Sequence, residues 1–146
     1  MKTMLLALLA LTSVSSFANC LDVSGKYLCP AEAAQEYALG SRDLIIKKSP
    51  ITDIYSVSTG SEAAIYEVNA WNPSISPSTG DIDYNVETMA QCRAKSVMFY
   101  SKVTTTDGDI SVTMTGGLDV RPTADGVVVR ILVDEDEFFK FNCKKI

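Results

Sequence analysis

The sequence predicts an all-β protein: a small antiparallel up-and-down β-barrel of about seven to nine strands, with at most one short helix. A β-sandwich is the alternative. Three observations predict it. From Arg42 onward, apolar and polar residues alternate with a period of two in one segment after another. Turn pairs such as Thr59-Gly60, Asp107-Gly108 and Asp125-Gly126 separate those segments. Only one stretch carries a helical pattern. Hairpins between adjacent strands, without long crossovers, favour a meander over a Greek key, and closing the meander hides edges that would otherwise pair with other chains.

The elements follow in chain order. Residues 1–18 read as a signal peptide: Lys2, then an apolar run through Leu11, then small residues with Ser16 and Ala18 at the positions a signal peptidase reads. Cleavage is expected after Ala18. The run is too short and its downstream flank too polar for a membrane span. Residues 19–146 are enough for a single domain with one core. Residues 22–29 predict the first strand. Residues 30–39 predict the one short helix: Pro30 suits a first helical position, the alanines favour helix, and Gly40 suits the stop. Strands are expected at residues 42–48, 53–58 and 63–71. Residues 72–80, rich in proline and serine, read as a loop, and 81–89 as a strand or an irregular lead-in to Cys92. Residues 95–105 are rich in aromatic and β-branched side chains, as a long strand is. Beyond Asp107-Gly108, Ile110, Val112 and Met114 alternate with Ser111, Thr113 and Thr115, the pattern of a half-buried strand. The last two strands are 127–133 and 138–144, joined by an acidic tip.

Composition excludes several functions. The chain has 13 basic and 18 acidic residues; without Lys2 of the leader the balance is 12 to 18, or −6. An acidic domain with no basic stripe lacks the phosphate-neutralising charge that nucleic-acid binding needs, and an anionic membrane surface repels it. There is no histidine, which removes Ser-His-Asp and Cys-His catalysis and the usual neutral-pH general base. Glu67, Asp81, Asp83 and Glu87 are the carboxylates available for glycosidase-type chemistry, but no spacing marks two of them as a facing pair. Asp81, Asp83, Asn85 and Glu87 space their oxygens like the start of a calcium loop. Val86 then stands where that loop needs glycine, and Cys92 where it needs its bidentate glutamate. The sequence therefore predicts no enzyme, no metal and no cofactor.

All four cysteines, Cys20, Cys29, Cys92 and Cys143, follow the leader. In an exported chain they read as two disulfides, with three possible connectivities. Antiparallel pairing of the first and last strands would set the start of one beside the end of the other, which favours Cys20–Cys143 and Cys29–Cys92. A zinc site built from all four thiolates needs close C-x2-C pairs, and the chain has none.

Ser24-Gly25-Lys26-Tyr27 resembles the opening of the lipocalin-type (calycin) barrels. These begin with Gly-x-Trp, whose aromatic ring plugs one end of the barrel; Tyr27 stands at the Trp position. The resemblance implies a barrel, with a basic residue of the last strand, Lys140, packed over the Tyr27 ring. Tyr27-Leu28-Cys29 is also similar to the Tyr-x-Cys of the periplasmic inhibitors of C-type lysozyme, whose inhibitory loop motif is absent here.

Two sets of candidate site residues follow. Tyr27, Tyr66, Trp71 and Tyr100 are candidates for lining a ligand site, with Trp71 beside the 72–80 loop. Asp134, Glu135, Asp136 and Glu137 form the densest charge and are candidates for meeting a basic protein partner. Met98, Phe99, Met114, Phe139 and Phe141 supply bulk, either to a solid interior or to the walls of a pocket. The reading is a secreted or periplasmic, bacterial, non-enzymatic binding module. The alternative is an interaction protein, such as a lysozyme-type inhibitor, acting through loops and acidic tips.

Overall fold

A computed structural model describes residues 20–35, 41–60, 63–74 and 82–146. The leader and the 75–81 connection, with Asp81 of the carboxylate and calcium-loop candidates, lie outside the described residues. Ten strands, all antiparallel to their neighbours, form one nearly closed, barrel-like sheet. They are β1 (Gly25–Leu28), β2 (Asp43–Lys48), β3 (Ile54–Thr59), β4 (Ala63–Glu67), β5 (Asn72–Ser74), β6 (Ile82–Cys92), β7 (Val97–Asp107), β8 (Ile110–Pro122), β9 (Gly126–Val133) and β10 (Asp136–Lys145). The helix α1 is a single turn, Ala31–Gln35, that buries Ala33; the rest of the expected helix lies outside the described residues.

The strand order is β4-β3-β2-β1-β10-β9-β8-β7-β6-β5. It is two meanders, β1 to β4 and β5 to β10, joined where the first strand meets the last. Tyr27 pairs with Lys145 and Leu28 with Lys144, and the Ile146 amide donates to the Lys26 carbonyl. The seam of the barrel falls between β4 and β5, which are neighbours in sequence. Asn69, in the left-handed region (φ 60°), turns the chain there and donates its amide to the Ala90 carbonyl of β6. The Thr88 hydroxyl donates to the Ile65 carbonyl across the same seam, 2.6 Å away. Two expectations change here. Residues 72–74 are strand rather than loop, because they pair with Thr88, Glu87 and Val86 of β6, and β6 is a full strand of 11 residues.

The disulfides are Cys20–Cys92 and Cys29–Cys143, which overturns the expected Cys20–Cys143 and Cys29–Cys92. The register explains the correction. Leu28 sits opposite Lys144, so the next residue along the chain falls beside Cys143. It is the end of β1, not its start, that meets this part of β10. Cys20, five residues ahead of β1, turns across the barrel end toward the close of β6. Each bridge ties one meander to the other.

That end of the barrel is solid. The lead-in residues plug it: Val23 is buried, Leu21 packs on the core, and the Leu21 and Val23 carbonyls accept hydrogen bonds from the hydroxyls of Tyr55 (3.2 Å) and Tyr27 (2.8 Å). Tyr27 thus fills one end with its ring, but Lys140 does not lie over it. Lys140 pairs with Arg130, five positions along β10 from the partner of Tyr27, and is exposed. Above the plug, Leu44, Ile46, Val97, Val120, Val129 and Phe141 close the interior.

Peptide mapping without reduction should recover Cys20 joined to Cys92 and Cys29 joined to Cys143. Replacing Cys29 and Cys143 by serine opens a loop of 114 residues. Denaturant unfolding should show a loss of up to about 5 kcal/mol, the chain-entropy value for so long a loop.

Candidate functional site

Among the described residues, none fills the opposite end of the barrel. Successive inward positions change character along the strands. On β7, Phe99 is buried, then Ser101 and Val103 are half-buried; on β9, Val129 is buried, then Ile131 and Val133 are half-buried. On β8 the corresponding inward position is Gly116, paired with Ser101 on one side and Val133 on the other. A Cβ added to Gly116 would meet nothing nearer than the Leu132 carbonyl at 3.7 Å, so the glycine marks open space rather than a tight contact. The result is a cleft of about 1470 Å³, open to solvent, whose walls include Val57, Tyr66, Phe99, Leu118 and Ile131.

The floor of the cleft is aromatic. Phe99 takes Tyr55 and Tyr66 edge-on, with ring centroids 5.3 and 5.2 Å apart, the geometry aromatic quadrupoles favour. The Tyr66 hydroxyl and the Ser101 hydroxyl are 3.3 Å apart. Burial pushes the Tyr66 pKa up, and the Ser101 hydrogen bond offsets part of that, so the phenol is neutral at physiological pH. Glu67 is the only charged residue among the described lining, and the Asn72 amide donates to it at 2.8 Å. The cleft is therefore apolar, with a few neutral hydroxyls.

The four aromatic candidates separate. Tyr66 lines the cleft. Tyr27 is in the plugged end. Trp71 and Tyr100 lie together on the outer wall, ring centroids 6.3 Å apart, with the Lys102 ammonium 4.8 Å from the Trp71 ring centre. Lys102 is also paired with Glu87 at 2.5 Å, and the Arg93 guanidinium donates to the Tyr100 hydroxyl at 2.7 Å. Parity explains the split: Phe99, Ser101 and Val103 face in, so Tyr100 and Lys102 face out. The cleft residues that sequence reasoning missed are Gly116, Leu118 and Ile131. The signal available for them was a glycine pair, Gly116-Gly117, inside an otherwise regular strand.

Gly117 has a different role. It faces outward, and a Cβ there would collide with the side-chain methyl of Met98. Met98 lies across it and helps bury Asp119, whose side chain is 1% exposed. Asp119 accepts hydrogen bonds from the Nε (2.8 Å) and a terminal nitrogen of Arg130, which also reaches Glu137 at 3.3 Å. Its other oxygen, Oδ1, is buried with no full hydrogen bond; the buried Ser96 acts on the same carboxyl without that geometry. Burial raises the Asp119 pKa, but Ser96, Arg130 and Arg93 outweigh it and hold the carboxyl below its ordinary value.

The acidic residues lie at the β9–β10 hairpin. Asp134 and Glu135 are its two turn residues, with φ of 48° and 74°, the left-handed pair a type I′ turn requires. Asp134 exchanges hydrogen bonds with Thr115: its amide donates to the Thr115 carbonyl and its carboxylate accepts from the Thr115 amide. Glu137 is held by Arg130. Glu135 and Asp136 remain exposed to solvent. Among the described residues, no three acids or cysteines come together as a metal site needs, and no helix is long and apolar enough to cross a membrane. The two disulfides fit an oxidising, extracellular-type compartment.

Comparison of the chain with protein-family models, with curated proteins and with solved structures finds no match.

Two substitutions test the outer wall. Asp119→Asn should lower stability by about 2 kcal/mol, the scale of hydrogen bonds to a buried charge. The folded carboxyl titrates below the ordinary aspartate value of 3.8. The pair's contribution is therefore complete above that value and is lost as pH falls through the lower folded pKa. Acid unfolding curves of Asp119→Asn should lack this component. Glu135→Gly should raise stability by about 1 kcal/mol, read as a higher melting temperature, because glycine adopts positive φ without the side-chain clash.

Proposed function

We propose that the protein is an exported, non-enzymatic binding module that holds a small, uncharged apolar ligand in the open half of its barrel. The observation that carries this reading is the unfilled cleft. One end of the barrel is packed, yet on the inward face of the other stands Gly116, where an added Cβ would meet nothing nearer than 3.7 Å. Close packing is the rule for protein interiors, and glycine inside a strand marks a place another group approaches. Apolar walls with a few placed hydroxyls are the make-up of a small-molecule site. The Tyr66–Ser101 pair supplies a neutral hydrogen-bonding handle, and the lack of any cation in the described lining favours an uncharged ligand over a carboxylate.

The disulfides and the leader-like start support a secreted or periplasmic location in a bacterium. The alternative, an interaction protein meeting a basic partner through its acidic tip, draws less support. Asp134 and Glu137 are already engaged by Thr115 and Arg130 of the same chain, which leaves Glu135 and Asp136 as the charge open to a partner.

The neutral dye N-phenyl-1-naphthylamine tests the reading. The oxidised protein, freed of its leader, should bind it saturably with enhanced fluorescence. Gly116→Leu should weaken that binding at least tenfold, about 1.4 kcal/mol, while the circular dichroism spectrum and melting temperature hold or improve. Equal dye binding by Gly116→Leu, or no saturable binding by the wild type, overturns the proposal.

A further inference from the structure

The apolar wall of the cleft does not stop at the rim. β6, β7 and β8 run past the rest of the barrel as a three-stranded ribbon, closed at its tip by the Asp107–Ile110 turn with Gly108 at φ 56°. Both faces of this ribbon meet solvent, so an isolated ribbon would be expected to be polar on both. It is not. One face carries rows of Asn85, Thr104 and Thr113, then Asp83, Thr106 and Ser111. The Thr104–Thr113 and Thr106–Ser111 hydroxyls are 3.0 and 2.9 Å apart. The other face carries Tyr84, Val112, Met114 and Ile110, which are 38, 55, 55 and 70% exposed, with Thr105 between Tyr84 and Val112 and Asp107 beside Ile110 at the tip.

This second face continues the inner wall. Met114 is paired with Val103, a lining residue of the cleft, and Gly116 stands two positions nearer the barrel on the same face. Gly116, Met114, Val112 and Ile110 therefore form one row on a single face of β8, leading from the cleft onto the ribbon.

Size and charge select the occupant. Three strands of some six residues present a face about 14 Å by 20 Å. That is roughly 300 Å², well under the roughly 800 Å² per partner of a standard protein interface. A second copy of this chain would be held too weakly. A bilayer is disfavoured by the carboxylates Asp107 and Asp109 at the ribbon tip and by the net negative charge. A narrow, elongated, uncharged chain matches the dimensions. We propose that the ribbon face is the outer half of the ligand site and that the ligand is the straight acyl chain of an uncharged lipid, running from the cleft past Gly116 onto the ribbon. The inference rests on the cleft being a ligand site.

The test uses 1-monoacylglycerols with acyl chains of roughly eight to sixteen carbons, measured by displacement of the same dye. In the wild type, affinity should rise about fourfold per added methylene until the ribbon is covered. The double variant Val112→Thr, Met114→Gln keeps strand-compatible side chains of similar size on the ribbon. It should bind the shortest lipid as the wild type does and lose at least tenfold for the longest. Gly116→Leu should weaken both. If the double variant keeps the full chain-length dependence, the ribbon is not part of the site, and the cleft reading stands alone. If no chain length displaces the dye, the lipid proposal falls while dye binding still reports on the cleft. If the lipid-free wild type sediments as a dimer and the double variant as a monomer, the face is an interface between copies and the proposal is overturned. Wild-type flotation with phosphatidylcholine vesicles that the double variant loses would overturn it in favour of a membrane surface.

Discussion

The antiparallel contact between β1 and β10 is the constraint on which the rest of the structure depends. It is short, two residue pairs and one further amide, yet among the described residues it is the only place where the two meanders share a strand ladder. A ladder that short, closing a loop that spans nearly the whole chain, is held together by few hydrogen bonds against a large loss of chain entropy. The Cys29–Cys143 bridge sits beside it and removes most of that entropy from the unfolded state. On the far side, the Thr88 hydroxyl and the Asn69 turn fasten the β4–β5 seam to β6, and Cys20–Cys92 ties the segment ahead of β1 to the end of β6. The fold is two half-sheets stapled at both margins, and the staples are covalent where the ladders are weakest.

This arrangement divides the interior. The stapled end receives the lead-in residues as a plug, so Tyr27 and Tyr55 direct their hydroxyls to the carbonyls of Val23 and Leu21 and their rings to packing. Burial, with Asp22 and Asp53 nearby, pushes the Tyr55 pKa up to about 12, which keeps its phenol neutral across the physiological range. The other end has no such plug among the described residues. Its inward positions shrink on two strands, Phe99 to Ser101 on β7 and Leu118 to Gly116 on β8. The same β8 strand uses its next glycine, Gly117, for the opposite purpose, letting Met98 cover the Asp119–Arg130 pair on the outer wall. One glycine opens space inside; its neighbour closes space outside.

Much of the fold was legible in the sequence and some of the site was not. The period-two pattern located β2, β3, β7, β9 and β10, because a strand buried on one face must alternate. The short β5 was missed: Asn72–Ser74 carry no alternating pattern and are strand only because β6 lies alongside. Tyr66 was found as a candidate, and Trp71 and Tyr100 were grouped with it although they face the opposite way. Aromatic content says that a residue is large; it does not say which side of the pleat it occupies until the register is known. Cys20 and Cys29 were assigned to the wrong partners for a related reason. Antiparallel pairing was foreseen, but the offset between the two strands was not.

The sequence by itself determined the all-β class, the hairpin turns, the acidic character and the lack of histidine chemistry, since each follows from local residue type and spacing. Tertiary structure alone decided the disulfide partners, the β4–β5 seam, which aromatics face inward, and that one end of the barrel is solid while the other is open. Those features depend on strand register and shear. A shift of one residue moves every side chain of a strand to the other face, and a shift in the offset of β1 against β10 changes which cysteines meet.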